Sequence, residues 1–227
     1  MNWQAVKEKI SAACIRAGRD PGEVSLIAVS KTKPAAMIEE LYNEGQRLFG
    51  ENRPQELRDK AVMLPEDISW HMIGHLQKNK IKYVVGKAAL IHSVDSYELA
   101  EAIDSEAEKR GVSPVSILLE VNVAGENTKF GLRVEDVCEL AKRISRLKNI
   151  RVQGLMTVAP FVEIAEENRP VFRELRQLSV DIALQNIDNI AMNVLSMGMT
   201  NDYEIAIEEG ATFVRVGTAI FGTRDYQ

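Results

Sequence analysis

Leu26-Ile27-Ala28-Val29-Ser30-Lys31-Thr32-Lys33-Pro34 is the most informative stretch of this chain. Its apolar first half predicts a short buried strand, Leu26–Lys31, and Pro34 opens a segment with the apolar spacing of a helix. A lysine at the carboxyl end of the first strand of a β/α unit lies where α/β barrels place their chemistry. We therefore expect the stretch to begin an α/β fold and Lys31 to be a functional residue.

The rest of the chain repeats this alternation of short apolar runs with longer amphipathic ones. The predicted strands are Leu26–Lys31, Arg47–Gly50, Trp70–Gly74, Leu90–Val94, Ser116–Val121, Val152–Val158, Asn193–Met197 and Phe213–Val216. The predicted helices include Asn2–Ala17, Ala35–Glu44, Ser96–Arg110, Val134–Leu147, Ala165–Gln185 and Tyr203–Glu208.

Eight strands that alternate with helices predict a single (β/α)8 TIM barrel domain over residues 1–227, with an extra N-terminal helix. The alternative from the same pattern is an open doubly wound sheet. No Gly-x-Gly-x-x-Gly follows the first strand, which weighs against the dinucleotide-binding form of that sheet.

Charge and composition exclude several classes of protein. The net charge is −5 and no basic stripe is present, so we expect no nucleic-acid partner. No apolar run approaches the ~20 residues of a membrane span, and the first residues lack the pattern of a signal peptide. Cys14 and Cys138 fall in helix-patterned segments and predict free thiols. We expect a cytoplasmic protein, and a monomer because no long apolar stripe stands out.

Two turns near the end of the chain resemble phosphate cradles. They are Ser196-Met197-Gly198-Met199-Thr200 and Gly217-Thr218-Ala219-Ile220-Phe221-Gly222. Barrels often build phosphate sites from the loops after strands seven and eight, which are the positions of these turns. Gly217-Thr218 opens the last helical turn, where glycine permits close backbone approach and the helix start presents free N–H groups to an anion, and Ser196 and Thr200 add hydroxyl groups. Together with Lys31, the turns predict a Schiff base to a phosphorylated aldehyde.

Two further side chains have open alternatives. Arg215 is flanked by valines in a predicted core strand, so it needs a polar partner in the lumen. That partner is either an acid such as Glu51 or Glu120, or a ring nitrogen of a cofactor. Asn52 either contacts a ligand ring or caps the next helix. The three histidines show no ligand spacing with other Cys, Asp or Glu residues, so we expect no metal site.

These motifs resemble one known family over nearly the whole chain. The matching segments are Ala28-Val29-Ser30-Lys31-Thr32-Lys33-Pro34, Phe49-Gly50-Glu51-Asn52, Trp70-His71-Met72-Ile73-Gly74-His75-Leu76-Gln77-Lys78-Asn79-Lys80, Gly154-Leu155-Met156-Thr157, Leu195-Ser196-Met197-Gly198-Met199-Thr200 and Val214-Arg215-Val216-Gly217-Thr218-Ala219-Ile220-Phe221-Gly222. They are similar to the pyridoxal phosphate homeostasis protein family (YggS/PROSC type).

The resemblance implies an alanine-racemase-like barrel that holds pyridoxal 5′-phosphate as a Lys31 aldimine. It implies the cofactor-binding residues Lys31, Asn52, Ser196, Thr200, Arg215, Gly217 and Thr218, with Arg215 near the pyridine nitrogen. One departure is the sequence Arg53-Pro54 after Asn52, where the family more often has an aromatic and an aliphatic residue.

The expected function is therefore pyridoxal phosphate homeostasis, with delivery to apo-enzymes, and without strong catalytic activity. An arginine at the pyridine nitrogen leaves that nitrogen unprotonated and makes the ring a weak electron sink. The chain also ends soon after the eighth strand, with no further domain to supply a second acid or base. The alternatives are an active amino-acid racemase, a Schiff-base aldolase acting on a sugar phosphate, and an interaction protein with a vestigial lysine site.

Overall fold

Eight parallel strands close into a barrel in chain order in the computed structural model, which describes residues 2–126 and 128–222. The strands are β1 (Ser25–Val29), β2 (Leu48–Glu51), β3 (Ser69–Met72), β4 (Ala88–Val94), β5 (Val115–Glu120), β6 (Ile150–Met156), β7 (Ile190–Ser196) and β8 (Phe213–Val216). Strand β1 pairs with both β2 and β8, so the sheet has no free edge. The predicted barrel is confirmed and the open doubly wound sheet is wrong.

Helices cover the outside of the barrel. They are α1 (Trp3–Arg16), α2 (Ala35–Asn43), α3 (Pro54–Met63), α4 (Tyr97–Arg110), α5 (Val137–Ile144), α6 (Arg169–Ala183), α7 (Tyr203–Glu208) and α8 (Thr218–Phe221). Short 3₁₀ turns occur at Pro21–Glu23, Lys78–Tyr83, Val134–Asp136 and Ala165–Asn168. Helix α1 is the predicted extra N-terminal helix. After β3 a 3₁₀ turn takes the place of the expected α-helix.

Helix α4 shows how local sequence sets the ends of an element. The hydroxyl of Ser96 accepts a hydrogen bond from the backbone N–H of Leu99 at 3.4 Å and caps the amino end. Lys109 and Arg110 occupy the last turn, where positive charge is favourable. Gly111 ends the helix at φ 65°, a left-handed conformation that glycine adopts without strain.

The side chains that point outward from the strands pack against the helices in one continuous apolar cluster, called here the outer layer. Its largest fully buried members include Phe49, Phe172, Ile38, Leu41, Leu57, Ile103 and Ile117. These residues follow the alternation of the strands and the apolar faces of the helices. The outer layer is therefore the main hydrophobic core of the protein.

The barrel lumen is filled differently at its two ends. A small apolar cluster contains Leu90, Leu118 and Met156, with the partly buried Val158, Val194 and Phe213 packed against it. Side chains two residues apart on a strand share a face, so the next lumen positions toward the carboxyl ends can be read from the sequence. On β4, β5, β7 and β8 these positions hold a polar layer of His92, Glu120, Ser196 and Arg215. The end of the lumen at the carboxyl ends of the strands is thus polar and buried.

Candidate functional site

Lys31 lies in a tight turn that leaves β1 at the carboxyl end of the barrel. Leu26 and Ala28 belong to the outer layer, so Ile27 and Val29 face the lumen and the turn follows directly. The N–H of Lys33 donates to the carbonyl oxygen of Ser30 at 3.0 Å and closes the turn. The placement of Lys31 agrees with the predicted position at the barrel mouth.

A buried ionic cluster supports the turn from behind. Lys60, which is 5% exposed, donates to the carbonyl oxygen of Ser30 at 2.8 Å and to Oε1 of Glu51 at 2.7 Å. Lys60 also donates to Glu56 at 2.6 Å, and Glu56 accepts the backbone N–H of Thr32 at 2.7 Å. The residues on both sides of Lys31 are therefore held through one lysine on α3.

Asn52 enters the site from the end of β2. Val29 pairs with Gly50 in the sheet, so Asn52 follows β2 at the level at which Lys31 follows β1. Its side-chain oxygen Oδ1 is buried and has no hydrogen-bond partner among the described residues. The alternative role as a helix cap is wrong, because α3 begins at Pro54 and its N-cap residue is Arg53. An unsatisfied buried oxygen is costly unless a ligand donates to it.

The turn after β8 packs directly on β1. A Cβ added at Gly217 would lie 3.2 Å from the Val29 carbonyl oxygen, so a side chain there would crowd the neighbouring strand. The first internal bond of α8 runs from the N–H of Ile220 to the carbonyl of Gly217 at 2.9 Å. The N–H groups of Thr218 and Ala219 precede that bond, so neither has a partner inside α8.

The turn after β7 is tied to β8 through the backbone. Gly198 has φ 89°, and a Cβ at this position would lie 2.6 Å from the Cβ of Ala206. Its carbonyl oxygen accepts the N–H of Arg215 at 3.0 Å. Thr200 follows in the same turn and is partly buried. The two predicted phosphate turns are therefore neighbours in space.

Arg215 is buried in the lumen and is held by two acceptors. It is 4% exposed and donates to the hydroxyl of Ser196 at 2.5 Å and to the carbonyl oxygen of Thr157 at 2.8 Å. Glu51, one predicted partner of Arg215, bonds to Lys60 instead. Glu120, the other, forms no ion pair with Arg215 within 4.0 Å. Two bonds use only part of a guanidinium's five N–H donors, so donors remain for a ligand.

Two histidines extend this contact across the lumen. Nδ1 of His92 lies 2.9 Å from the Ser196 hydroxyl, and Nε2 of His92 lies 2.9 Å from Nδ1 of His71. Nε2 of His71 lies 3.4 Å from the hydroxyl of Ser69. Because Arg215 can only donate, the Ser196 hydroxyl accepts from it and can donate its own proton to Nδ1 of His92. Nε2 of His92 can then donate to Nδ1 of His71, and Nε2 of His71 can donate to the Ser69 hydroxyl.

Burial keeps these histidines neutral. It lowers the pKa of His71 to about 4 and lowers the pKa of His92 well below its ordinary value. Burial also lowers the pKa of Arg215 to about 10, which leaves the guanidinium charged at neutral pH. Arg215 therefore carries the positive charge of this chain of side chains.

Glu120 completes the polar layer. Its side chain is 8% exposed, and Oε2 has no hydrogen-bond partner among residues 2–126 and 128–222. Burial, together with the negative charge of Asp95, raises the pKa of Glu120 to about 7, and the positive charge of Arg215 acts in the opposite direction. The site thus contains a carboxyl group that can change its charge near neutral pH.

The structure brings the predicted residues to one end of the barrel. Lys31, Asn52, Gly217, Thr218 and Thr200 lie in the loops that follow β1, β2, β8 and β7. Ser196 and Arg215 lie one level deeper and bond to each other. The hydroxyl of Ser196 is fully buried by these contacts, and its predicted contact with a phosphate stays a prediction.

Sequence reasoning missed three residues of this region, His71, His92 and Lys60, and considered Glu120 only as a partner of Arg215. The histidines were considered only as metal ligands. Strand alternation was the signal that could have found His92 and Glu120, because each follows a lumen-facing leucine by two residues. Lys60 gave no such signal, since it is an ordinary lysine in a polar helix.

The described residues contain neither a metal-binding cluster nor a membrane-spanning helix. Within residues 2–126 and 128–222, no three His, Cys, Asp or Glu side chains gather in a way that could hold a metal ion. None of the helices in that part of the chain combines the length and apolar character that a bilayer crossing requires.

Comparisons with known proteins agree with this geometry. The family model described as "Alanine racemase, N-terminal domain" matches residues 1–225. A "Pyridoxal phosphate homeostasis protein" of Aquifex aeolicus (strain VF5) is 48% identical over 222 residues, which cover 97% of this chain and 96% of the relative.

Solved structures extend the comparison. The structure of PipY of Synechococcus elongatus PCC7942 with PLP bound is 39% identical, has a TM-score of 0.82, and matches 96% of this chain and 100% of PipY. An alanine racemase of Clostridium difficile 630 has a TM-score of 0.72 at 14% identity, over 97% of this chain and 56% of the racemase. This last likeness shows the fold, which is the predicted alanine-racemase-like barrel.

Proposed function

We propose, since the chain belongs to the pyridoxal phosphate homeostasis protein family, that it binds pyridoxal 5′-phosphate reversibly and keeps this reactive aldehyde available but contained. It acts as a holder and carrier of the cofactor and not as an enzyme, in keeping with the names of its relatives. When bound, pyridoxal phosphate would supply an electrophilic aldehyde carbon with which a primary amine could condense, with loss of water.

One observation carries the proposal: the turn that contains Lys31 packs between the end of β2 and the glycine turn after β8. Val29, at the end of β1, pairs with Gly50 in the sheet, and Gly217 packs closely against the Val29 backbone. These two contacts fix the arrangement. This packing supports the proposal that the Lys31 amine and an anion-binding turn lie side by side. That is the pairing required by a small molecule with an aldehyde at one position and a phosphate nearby.

The remaining residues have roles that fit the same ligand. The phosphate is held by the Gly217-Thr218 turn and by Thr200, with Ser196 as a further hydroxyl of the predicted set. Arg215 donates from the lumen floor to the ring nitrogen. Asn52 uses its unpartnered Oδ1 to accept a hydrogen bond from the ligand edge. These assignments are supported by the unsatisfied oxygen and by the unused donors of Arg215.

The chemistry of the site favours holding over turnover. A guanidinium at the ring nitrogen does not deliver a proton as an aspartate or glutamate partner can, so electron withdrawal by the ring is weak. The Lys31 amine is the nucleophile that captures the aldehyde. The buried cluster around Lys60 keeps the backbone on both sides of that lysine in place.

Several broader expectations belong to this proposal. The chain acts in the cytoplasm as one barrel domain and as a monomer, and it delivers pyridoxal phosphate to apo-enzymes that need it. The free thiols Cys14 and Cys138 are consistent with a reducing compartment.

Hydride trapping tests the proposed function. Purified protein incubated with pyridoxal phosphate should turn yellow, bleach with borohydride, and carry a pyridoxyl label on the peptide that contains Lys31. The Lys33→Ala variant is the matched control, because it removes a neighbouring amine and should keep full labelling. A label on another residue, or no label, would refute the proposal.

The alternative activities give different results in the same preparation. A colourless protein that is trapped only in the presence of a sugar phosphate would support an aldolase. Loss of optical rotation from a single enantiomer of alanine at ordinary enzymatic rates would support a racemase.

A further inference from the structure

Two buried histidines of the lumen have no role in the proposed function. His71 on β3 is 3% exposed, and His92 on β4 is fully buried. Nδ1 of His92 lies 2.9 Å from the hydroxyl of Ser196 on β7, and Nε2 of His92 lies 2.9 Å from Nδ1 of His71. The two imidazoles therefore link β3 and β4 to β7 across the lumen.

Neighbouring rings hold the two imidazoles in place. The centroid of the His71 ring lies 5.2 Å from that of His92 and 5.3 Å from that of Phe213, both in edge-to-face contact. Burial lowers the pKa of both histidines, so each is a neutral ring with one N–H group. A neutral imidazole donates from one nitrogen and accepts at the other. Each histidine therefore has two possible tautomers, and its hydrogen bonds decide between them.

The hydroxyl of Ser196 decides the tautomer of His92. This hydroxyl is fully buried and has a single proton. In the part of the chain that the structure describes, it contacts Nη1 of Arg215 at 2.5 Å and Nδ1 of His92 at 2.9 Å. Because Arg215 can only donate, the acceptor left for the Ser196 proton is Nδ1 of His92. A proton on Nδ1 itself would leave the hydroxyl proton buried without a partner, which is unfavourable.

We propose that His71 and His92 are positioning residues and that both carry their proton on Nε2. They act through Ser196 on Arg215. His92 accepts the Ser196 proton, which turns an oxygen lone pair of that hydroxyl toward the guanidinium. The carbonyl oxygen of Thr157 accepts from Nη2 of Arg215 at 2.8 Å. Two nitrogens of the guanidinium are thereby fixed, and its other N–H groups are left for the ligand.

Ser196 then serves the ring nitrogen of the ligand and not its phosphate. This role rests on the proposed function, in which Arg215 donates to the ring nitrogen. A phosphate offers acceptor oxygens, so it would need the same Ser196 proton that His92 accepts. The phosphate is therefore left to Thr200 and the Gly217-Thr218 turn, and Ser196 leaves the predicted set of phosphate hydroxyls.

Nitrogen NMR of the histidines tests the tautomers and requires no catalytic assay. Two-bond ¹H–¹⁵N correlations of protein labelled with ¹⁵N-histidine distinguish a protonated ring nitrogen from a bare one. Spectra are recorded at neutral pH without ligand and then with pyridoxal phosphate. The chain has three histidines, and His75→Gln removes the signals of the exposed one. The two remaining rings should both be protonated at Nε2 in both states. A ring protonated at Nδ1 in either state would overturn the proposal.

Binding measurements test the action through Arg215. Ser196→Ala should bind pyridoxal phosphate roughly tenfold more weakly than wild type. It should bind an analogue whose ring nitrogen is replaced by C–H as tightly as wild type does, and the inhibition constant of inorganic phosphate should be unchanged. His92→Leu should behave like Ser196→Ala. His92→Gln keeps an acceptor and should bind pyridoxal phosphate nearly as tightly as wild type.

Two results of these measurements would contradict the proposal. Weaker competition by inorganic phosphate against Ser196→Ala would place that hydroxyl on the phosphate. Equal weakening of pyridoxal phosphate and of the analogue would show that Ser196 does not act on the ring nitrogen. A protein that stays colourless with pyridoxal phosphate would refute the proposed function, and with it the role of Ser196 at the ring nitrogen. The tautomers of the ligand-free protein are measured independently of that outcome.

Discussion

The two interiors of this barrel differ in composition and in what depends on them. The outer layer between strands and helices is apolar and continuous, with Phe172 and Ile103 among its fully buried members. The polar end of the lumen instead holds His92, Glu120 and Arg215, each at least nine tenths buried. The residues of the main hydrophobic core are therefore separate from those that we propose contact a ligand.

The difference teaches how to distinguish a structural ion cluster from a functional one. In the cluster behind the Lys31 turn, Lys60 donates to three acceptors, and its charge lies against the Glu51 carboxylate. In the lumen, Oε2 of Glu120 has no partner among the described residues, and Arg215 retains unused donors. Oε2 of Glu51 also lacks a partner among the described residues, so the unused donors of Arg215 are what distinguish the lumen as the cluster that fits a ligand.

The largest effect is expected from Lys31→Ala, which should abolish capture of the aldehyde and leave the apolar outer layer unchanged. The variant should lose all borohydride-trapped pyridoxyl label, because the other amine of the turn, that of Lys33, donates to the carbonyl oxygen of Phe221. Its free energy of unfolding should stay within about 1 kcal/mol of wild type, since the outer layer is untouched. Mass spectrometry of the reduced protein and a urea titration measure the two quantities.

A matched change keeps this result interpretable. Lys33→Ala alters the neighbouring turn residue, whose ammonium group donates to the carbonyl of Phe221 at 3.2 Å. It should retain the label. Equal loss of label in both variants would mean that the turn as a whole, and not the Lys31 amine, is what matters.

A substitution in the outer layer should lower the stability of the fold and leave ligand binding unchanged. Phe172→Ala removes a fully buried ring on α6 and should lower the free energy of unfolding by about 3–5 kcal/mol, the usual cost of such a cavity. The fraction that remains folded should bind pyridoxal phosphate with unchanged affinity. The Phe172→Leu variant, which leaves a smaller cavity, should fall between this variant and wild type in the same denaturation series.

The buried histidines predict a pH dependence of stability. Because the folded pKa of His71 is about 4, below the ordinary value of 6.5, the unfolded chain binds a proton that the folded protein rejects. The stabilisation is complete above pH 6.5 and is lost as the pH falls toward 4. The contribution over that window is about 3 kcal/mol at 1.36 kcal/mol per pKa unit.

His71→Gln isolates this contribution. Glutamine keeps a donor and an acceptor but does not titrate, so the loss of stability between pH 6.5 and pH 4 should be smaller in the variant by up to about 3 kcal/mol. Urea titrations at several pH values measure the difference. Parallel curves for wild type and variant would show that His71 takes up a proton in the folded state at its ordinary pKa.

Much of the fold could be predicted because strand and helix periods are local properties of the sequence. The strand Phe213–Val216 and the helix Tyr203–Glu208 were placed at their observed limits. The first strand was predicted to reach Lys31 but ends at Val29, because Ser30 to Lys33 form a hydrogen-bonded turn. The helix expected at Val134–Leu147 begins with a 3₁₀ turn and forms α5 only from Val137 to Ile144. The ends of a strand or helix depend on hydrogen bonds that the spacing of apolar residues does not reveal.

The position of a candidate site residue in the barrel could be predicted where one short segment carries both the motif and its neighbours. The Lys31 turn and the Gly217-Thr218 turn are of this kind. The contacts of Arg215 were not predictable, because Ser196 and Thr157 reach it from other strands and nothing in the sequence distinguishes them from acids such as Glu51. The hydrogen bond from Lys60 to the Lys31 turn could not be predicted for the same reason, because Lys60 on α3 meets the end of β1 only in the folded barrel.

The smallest effect is expected at the rim, where Thr200→Ala removes one hydroxyl from the turn after β7. Affinity for pyridoxal phosphate should fall roughly 10- to 150-fold, the equivalent of about 1.5–3 kcal/mol for a hydrogen bond to a charged group. Thr200→Ser keeps the hydroxyl and should bind pyridoxal phosphate nearly as tightly as wild type. Inorganic phosphate should displace the ligand less effectively from Thr200→Ala than from Thr200→Ser or wild type. Equilibrium dialysis gives the three affinities. If alanine and serine bind equally well, the phosphate contacts the backbone of the turns alone, and the division between a ligand-binding lumen and a structural outer layer then lies deeper in the barrel than Thr200.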